Sequence, residues 1–140
     1  MVAVKTTIGL IAFLAGSLAA QPAASVRDGI YTQDQAGRGK ALYGMQCASC
    51  HGDTLDGSGQ APPLRTADFL GNWEGQTVDD LFEKIQTTMP ADKPGQLSRA
   101  QNADILAFVL ASNTFPAGEK DLPSDATALK KIRFQAPQAK

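Results

Sequence analysis

Two cysteines, with a histidine directly behind the second, constrain this chain more than any other feature: Cys47-Ala48-Ser49-Cys50-His51. They are the only cysteines and the only histidine in 140 residues. Three positions apart, the two thiols fall on one side of a helical turn. Each can then add to one vinyl group of a haem, and the His51 imidazole follows on the proximal side of the iron. C-x-x-C-H is accordingly a covalent haem-attachment sequence. The same inventory excludes a zinc site with four Cys/His ligands, because only three such residues exist. It also limits the chain to one disulfide. Three other chemistries stay open for the pentapeptide. One is a thioredoxin-like redox pair, which would normally follow a strand in a βαβ unit. The others are a Cys47–Cys50 disulfide and half a zinc site completed by carboxylates.

A haem carrier needs a second axial ligand. Bis-histidine ligation within one chain is excluded by the single histidine. Of the three methionines, Met1 lies in a segment expected to be removed, and Met45 is pinned beside the attachment, two residues before Cys47. Met89 remains, in Thr87-Thr88-Met89-Pro90. Pro90 biases Met89 toward extended backbone and stops the preceding helix. An extended loop can present a thioether to iron, and thioether with imidazole is the pair that raises reduction potential. The plainer role for Met89 is to fill a gap in the core.

The first twenty residues have the three-part pattern of a secretory signal peptide. Lys5 is the only charge before Arg27, residues 8–15 are apolar, and small residues follow. Cleavage is expected after Ala19 or Ala20. That leaves one domain over residues 21–140, with a short N-terminal flank and a C-terminal tail from about residue 116. A membrane enters only if the segment stays uncleaved; residues 6–26 are just long enough to span one. The expected location is the periplasm, an oxidising compartment that suits thioether attachment. Loss of Lys5 leaves 12 basic against 14 acidic residues, so nothing marks a nucleic-acid partner. At 43% hydrophobic and 19% charged, the chain is not disordered by composition.

Three segments carry helix signals: residues 33–47, 78–87 and 99–112. Each has a capping-box pair at its start, Thr32 with Gln35, Thr77 with Asp80, and Ser98 with Gln101. Val78, Leu81, Phe82 and Ile85 share one face of the second; Ile105, Phe108 and Val109 form the stripe of the third. A short fourth helix is expected after Ser124, with Leu129 and Ile132 inward. No segment reads as an alternating strand. Residues 51–76 read as a long Gly/Pro-rich loop, of the kind that is functional or wrapped around something.

That loop offers further candidates. A ligating histidine usually donates its other N–H to a carbonyl, and Pro62 in Ala61-Pro62-Pro63-Leu64 is the nominated acceptor. Leu64 would pack on the proximal haem face. Both are otherwise ordinary loop residues. Trp73 suits a haem propionate through its indole N–H, or plain core packing. Arg65 is a weaker propionate candidate. Tyr43 and Phe108 read as core aromatics, and Asp53, Asp56, Gly57 and Gly59 as a solvated polar turn.

Over about residues 30–115, the sequence resembles a class I c-type cytochrome of the small bacterial monohaem kind. Cys47-x-x-Cys50-His51 and Met89 before Pro90 match that family's ligands in order and spacing. Gly39 and Tyr43 match its first helix, Ile105 and Phe108 its last, and Ala61-Pro62-Pro63-Leu64 its proximal Pro-x-Leu segment. The resemblance implies an all-α cytochrome c fold, three main helices plus loops wrapped around one covalently bound haem c. It also implies that the first and last helices cross closely at Gly39. The flanks, residues 28–32 and 115–140, look like those of cytochromes accompanying quinoprotein alcohol dehydrogenases; they equally suit simple wrapping of the core. The implied function is one-electron transfer, without catalysis, between redox protein partners: a dehydrogenase donor and a cytochrome oxidase or similar acceptor. The competing readings are a relay subunit of a dehydrogenase complex and a haem enzyme with a labile sixth ligand.

Overall fold

Each of the three Ser/Thr start signals opens a helix. The computed structural model describes residues 24–59 and 61–137, so the expected signal segment lies outside the described residues. Helix α1 is Gln33–Gln46, and Cys47 separates it from a single turn, α2, Ala48–His51. Helix α3 is Ala67–Trp73, α4 is Val78–Thr88, α5 is Arg99–Ser112 and α6 is Ala126–Leu129. Two-residue strands at the chain's flanks, β1 (Ala24–Ser25) and β2 (Ile132–Arg133), pair in parallel. They leave the architecture helical.

The caps at Thr77 and Ser98 are reciprocal, side chain to backbone in both directions. The expected box at Thr32 is only half formed. Thr32 Oγ1 accepts from the Gln35 N–H at 3.1 Å, but the Gln35 amide turns inward. Its Oε1 accepts from the Leu122 N–H at 2.6 Å and its Nε2 donates to the Leu122 carbonyl at 3.1 Å. Gln35 is buried, so its two polar atoms must be paired within the protein. The tail supplies both partners.

Residues 51–76 are not the structureless loop expected. They contain α3, capped by Thr66, whose Oγ1 accepts from the Phe69 N–H at 3.2 Å. Seven residues with Gly71 among them carry too little periodicity to stand out. The apolar stripe of α5 is also broader than Ile105, Phe108 and Val109. Ala103, Leu106, Ala107 and Leu110 are buried too, because α1, α4 and the tail enclose the helix.

The core is organised by the crossing of α1 over α5. A Cβ placed on Gly39 would lie 1.8 Å from the Asp104 carbonyl oxygen, so the backbones meet with no room for a side chain. Beside this point the Tyr43 and Phe108 rings pack with centroids 5.2 Å apart.

Both flanks wrap this core. Tyr31 donates its hydroxyl proton to the Phe115 carbonyl at 2.6 Å, and its own carbonyl accepts from the Gly118 N–H at 2.7 Å. Gly118 lies directly on Gly29; a Cβ there would be 1.9 Å from the Gly29 oxygen. Further along, Leu122, Leu129, Ile132 and Phe134 are buried. Phe134 sits edge-on to both Phe69 and Phe115.

Candidate functional site

The attachment pentapeptide forms one turn of its own. Helix α1 ends with the Cys47 N–H donating to the Tyr43 carbonyl at 2.9 Å, and the chain kinks at Cys47 (φ −126°, ψ −35°). The Cys50 and His51 N–H groups then both reach back to the Cys47 carbonyl, at 3.1 and 2.9 Å. Cys47 is half-buried, Cys50 is exposed, and both thiols are free. Burial, with the neighbouring Cys50 second, pushes the Cys47 thiol up to about 11. A thioredoxin-like pair works through a lowered thiol, and no βαβ unit is present among the described residues. Among the described residues no three His, Cys, Asp or Glu side chains gather as for a metal ion, so carboxylates do not complete a zinc site there.

His51 is buried, and its Nδ1 lies 2.8 Å from the Pro62 carbonyl oxygen. A carbonyl only accepts, so Nδ1 carries the proton and Nε2 of the neutral ring keeps its lone pair. The same loop grips the backbone of His51, whose carbonyl accepts from the Gly57 N–H at 2.9 Å. Gly57 is more than part of a solvated turn. It has φ +78°, and a Cβ there would lie 2.7 Å from Pro63 N and 3.0 Å from the Pro62 carbonyl carbon. Tyr43 likewise does more than fill the core. Its hydroxyl donates to the Gly52 carbonyl at 2.7 Å, clamping the residue after His51. Burial first, then the negative charge of neighbouring groups, pushes this phenol up to about 12, so it stays a donor at neutral pH.

The remaining candidates are placed as follows. Leu64 and Trp73 are partly buried against the core. Arg65, weighed as a propionate partner, is exposed and pairs with Asp56 at 3.3 Å. Met89 ends α4 in extended backbone (φ −120°, ψ 150°) and is half-buried. The segment after it returns to the motif: Gln96 Nε2 donates to Gln46 Oε1 at 2.9 Å, one residue before Cys47. Met45, by contrast, is 70% exposed. Sequence reasoning missed Asn113, whose Nδ2 donates to the Leu64 carbonyl at 2.8 Å. An asparagine at a helix end looks like a simple cap, and nothing local points to the loop.

Residues 34–109 match the family described as cytochrome c oxidase, cbb3-type, subunit III. The chain is a small c-type cytochrome. The cytochrome is 31% identical over 90 residues to cytochrome c-554(547) of Halothiobacillus neapolitanus, covering 62% of this chain and 85% of that protein. It is 36% identical over 81 residues to thiosulfate dehydrogenase of Stutzerimonas stutzeri strain A1501, covering 51% of this chain. The match spans a quarter of that longer protein (25%). Its fold is similar to that in the crystal structure of the sulfane dehydrogenase SoxCD from Paracoccus pantotrophus. The TM-score is 0.52 at 23% identity, over 93% of this chain and 68% of that one.

Haem c is the cofactor this family implies, and the residues present fit it. Two thiols stand three positions apart on one turn, an imidazole offers Nε2, and among the described residues no carboxylate joins them as a competing ligand set.

Proposed function

We propose that the cytochrome is a periplasmic one-electron carrier whose single haem c is bound covalently by Cys47 and Cys50 and ligated by His51 and Met89. The hydrogen bond from His51 Nδ1 to the Pro62 carbonyl is the observation that carries this reading, because it fixes the ring of a buried, doubly anchored residue and leaves Nε2 as the nitrogen to ligate. Bound haem supplies the one-electron redox change. The chain's own residues hold geometry constant while it happens. Gly57 and Tyr43 pin the backbone of His51 and of the residue after it, and the Gln46–Gln96 bond closes the Met89 segment toward the motif turn. Pro62, Leu64 and Trp73 line the proximal side in this reading. The segment over residues 1–20 exports the chain.

Its partners are a dehydrogenase or respiratory complex as donor and an oxidase or similar protein as acceptor. Such encounters use small interfaces, and a formal net charge of −1 argues against docking through a lysine ring. A second reading rests on the likeness to thiosulfate dehydrogenase. There the domain relays electrons within a dehydrogenase complex, sulfur-oxidising or quinoprotein, or takes part in the oxidation itself.

The absorption spectrum of the purified oxidised protein separates the carrier from a haem enzyme, and isolation as a stable monomer that reduces and reoxidises freely counts against the relay. The carrier gives low-spin iron with the weak near-infrared band of methionine-sulfur ligation, and Met89→Ala abolishes that band and lowers the potential. High-spin iron in the unsubstituted protein, or an unchanged spectrum in Met89→Ala, refutes the ligand set. Reduction of the purified protein by thiosulfate alone would favour the enzymatic reading.

A further inference from the structure

Pro62 and Pro63 stand side by side, and neither has an N–H to donate. The stretch that offers its carbonyl to His51 therefore has few ways of being held. Upstream, Ser58 and Ala61 exchange backbone hydrogen bonds of 3.0 and 3.1 Å. Downstream, Leu64 is the first residue with a donor, and its N–H goes to the Leu55 carbonyl at 2.8 Å. The Leu64 carbonyl accepts from Asn113 Nδ2, 49 residues further along, at 2.8 Å. Asn113 follows the last residue of α5 and is 6% exposed. The same nitrogen donates to the Val109 carbonyl of α5, also at 2.8 Å. Both neighbours are acceptors only, so the amide's NH₂ must face them. One proton serves the helix and the other serves the loop.

We propose that Asn113 is a positioning residue for the His51 imidazole: by fixing the Leu64 carbonyl it holds the Pro62 carbonyl against Nδ1 and so sets how basic the ring is as an axial ligand. This rests on the reading of His51 as a haem ligand. A well-aligned Nδ1–H···O bond gives the ring more imidazolate character and favours the oxidised metal; a slack one favours the reduced metal. The Val109 carbonyl already accepts from the Asn113 N–H at 3.1 Å, so closing the end of α5 needs at most the side-chain bond to Val109 besides. The bond to Leu64 goes beyond that task, and it lands two residues from the carbonyl that matters.

The test uses the holoprotein and three variants. Asn113→Ser keeps a hydroxyl that bonds back to the Val109 carbonyl four residues earlier, but it is too short to serve the loop as well. Asn113→Leu removes both donors while keeping the same branching and number of heavy atoms. Ser112→Ala is the control, deleting the 2.8 Å bond to the Phe108 carbonyl at the same helix end. Each protein is titrated for reduction potential, and exchange of the His51 Nδ1 proton is followed by NMR in the reduced state. Both Asn113 variants should shift the equilibrium toward the reduced form by about three- to tenfold, the upper limit corresponding to about 59 mV for one electron. Proton exchange should quicken in both, and Ser112→Ala should change neither. If Asn113→Leu fails to fold, Asn113→Ser carries the same two measurements. Unchanged potential and exchange in a folded Asn113 variant, with only the unfolding midpoint lowered, overturns the proposal; Asn113 then caps α5 and nothing more. Failure of the underlying reading shows separately, as absence of thioether-bound haem in the unsubstituted protein, and overturns both.

Discussion

Replacing Gly39 by alanine should destabilise the protein, although helix propensity alone argues the opposite. Alanine is worth about 1 kcal/mol over glycine inside a helix, and Gly39 lies in the middle of α1. Its new Cβ, however, would lie 1.8 Å from the Asp104 carbonyl oxygen, 2.4 Å from that carbonyl carbon and 3.0 Å from Phe108 Cβ. The first two are backbone atoms inside α5, which cannot swing away as a side chain can. Ordinary contact requires the helices to part by roughly 1.5 Å, a forced overpacking that costs about 1–3 kcal/mol. Separation also loosens the Tyr43–Phe108 ring pair, a contact worth about 0.5–1.5 kcal/mol. Set against the propensity gain, the expected net loss is about 2 kcal/mol. Urea unfolding of the holoprotein measures it, as a midpoint lowered by about 1 M at a typical slope of about 2 kcal/mol/M. Gly37→Ala and Gly44→Ala provide the comparison. Their added methyls meet nothing within 4 Å, so both should gain about 0.5–1 kcal/mol. A Gly39→Ala protein as stable as these two would refute the crossing as described.

The tail offers a similar steric test. Gly118→Ala places a Cβ 1.9 Å from the Gly29 oxygen and should make the chain beyond residue 116 sensitive to limited proteolysis while haem binding persists; unchanged resistance would count against the contact. Stability should also depend on pH through Asp121, whose carboxylate is held below its ordinary value of 3.8 by hydrogen bonds from Thr32 and then from Arg38. The unfolded chain takes up this proton first as pH falls, so the contribution is complete above the ordinary value and lost as pH drops through the lower folded one. Between about pH 5 and pH 2 the urea midpoint should fall more steeply for the natural protein than for Asp121→Asn. Parallel slopes would show that the carboxylate adds nothing.

Much of the fold was legible where one local signal sufficed. Thr32, Thr77 and Ser98 marked three helix starts because a capping hydroxyl acts within three residues of itself. The end of α4 was legible in the same way, through Pro90. What escaped was non-local. Gln35 looked like half a capping box, and only the distant Leu122 backbone explains why its amide faces inward. Helix α3 is seven residues long, shorter than its periodicity needs to be visible. In the site, the pentapeptide names its own chemistry, since few reactions want two thiols and an imidazole at that spacing. The contact between His51 and the Pro62 carbonyl follows from a general need of ligating histidines for an acceptor. Gly57 read as turn chemistry because a positive φ has no signature beyond glycine itself. Asn113 was invisible because its partner lies 49 residues away.

The closure of the two flanks orders how this chain can assemble. Arg27 Nε bonds the Ala136 carbonyl 109 residues away, and β1 meets β2 over a similar interval. Reaching such partners from an open chain costs loop entropy that rises only with the logarithm of the interval, but nothing repays it until the strands themselves arrive. The α1–α5 crossing lies inside that interval and joins far more of the chain. Once it forms, the unfixed stretches outside it are short, and the outer pairing closes cheaply. The molecule is thus built as one clasp within another, and the inner clasp has to shut before the outer one has anything to fasten.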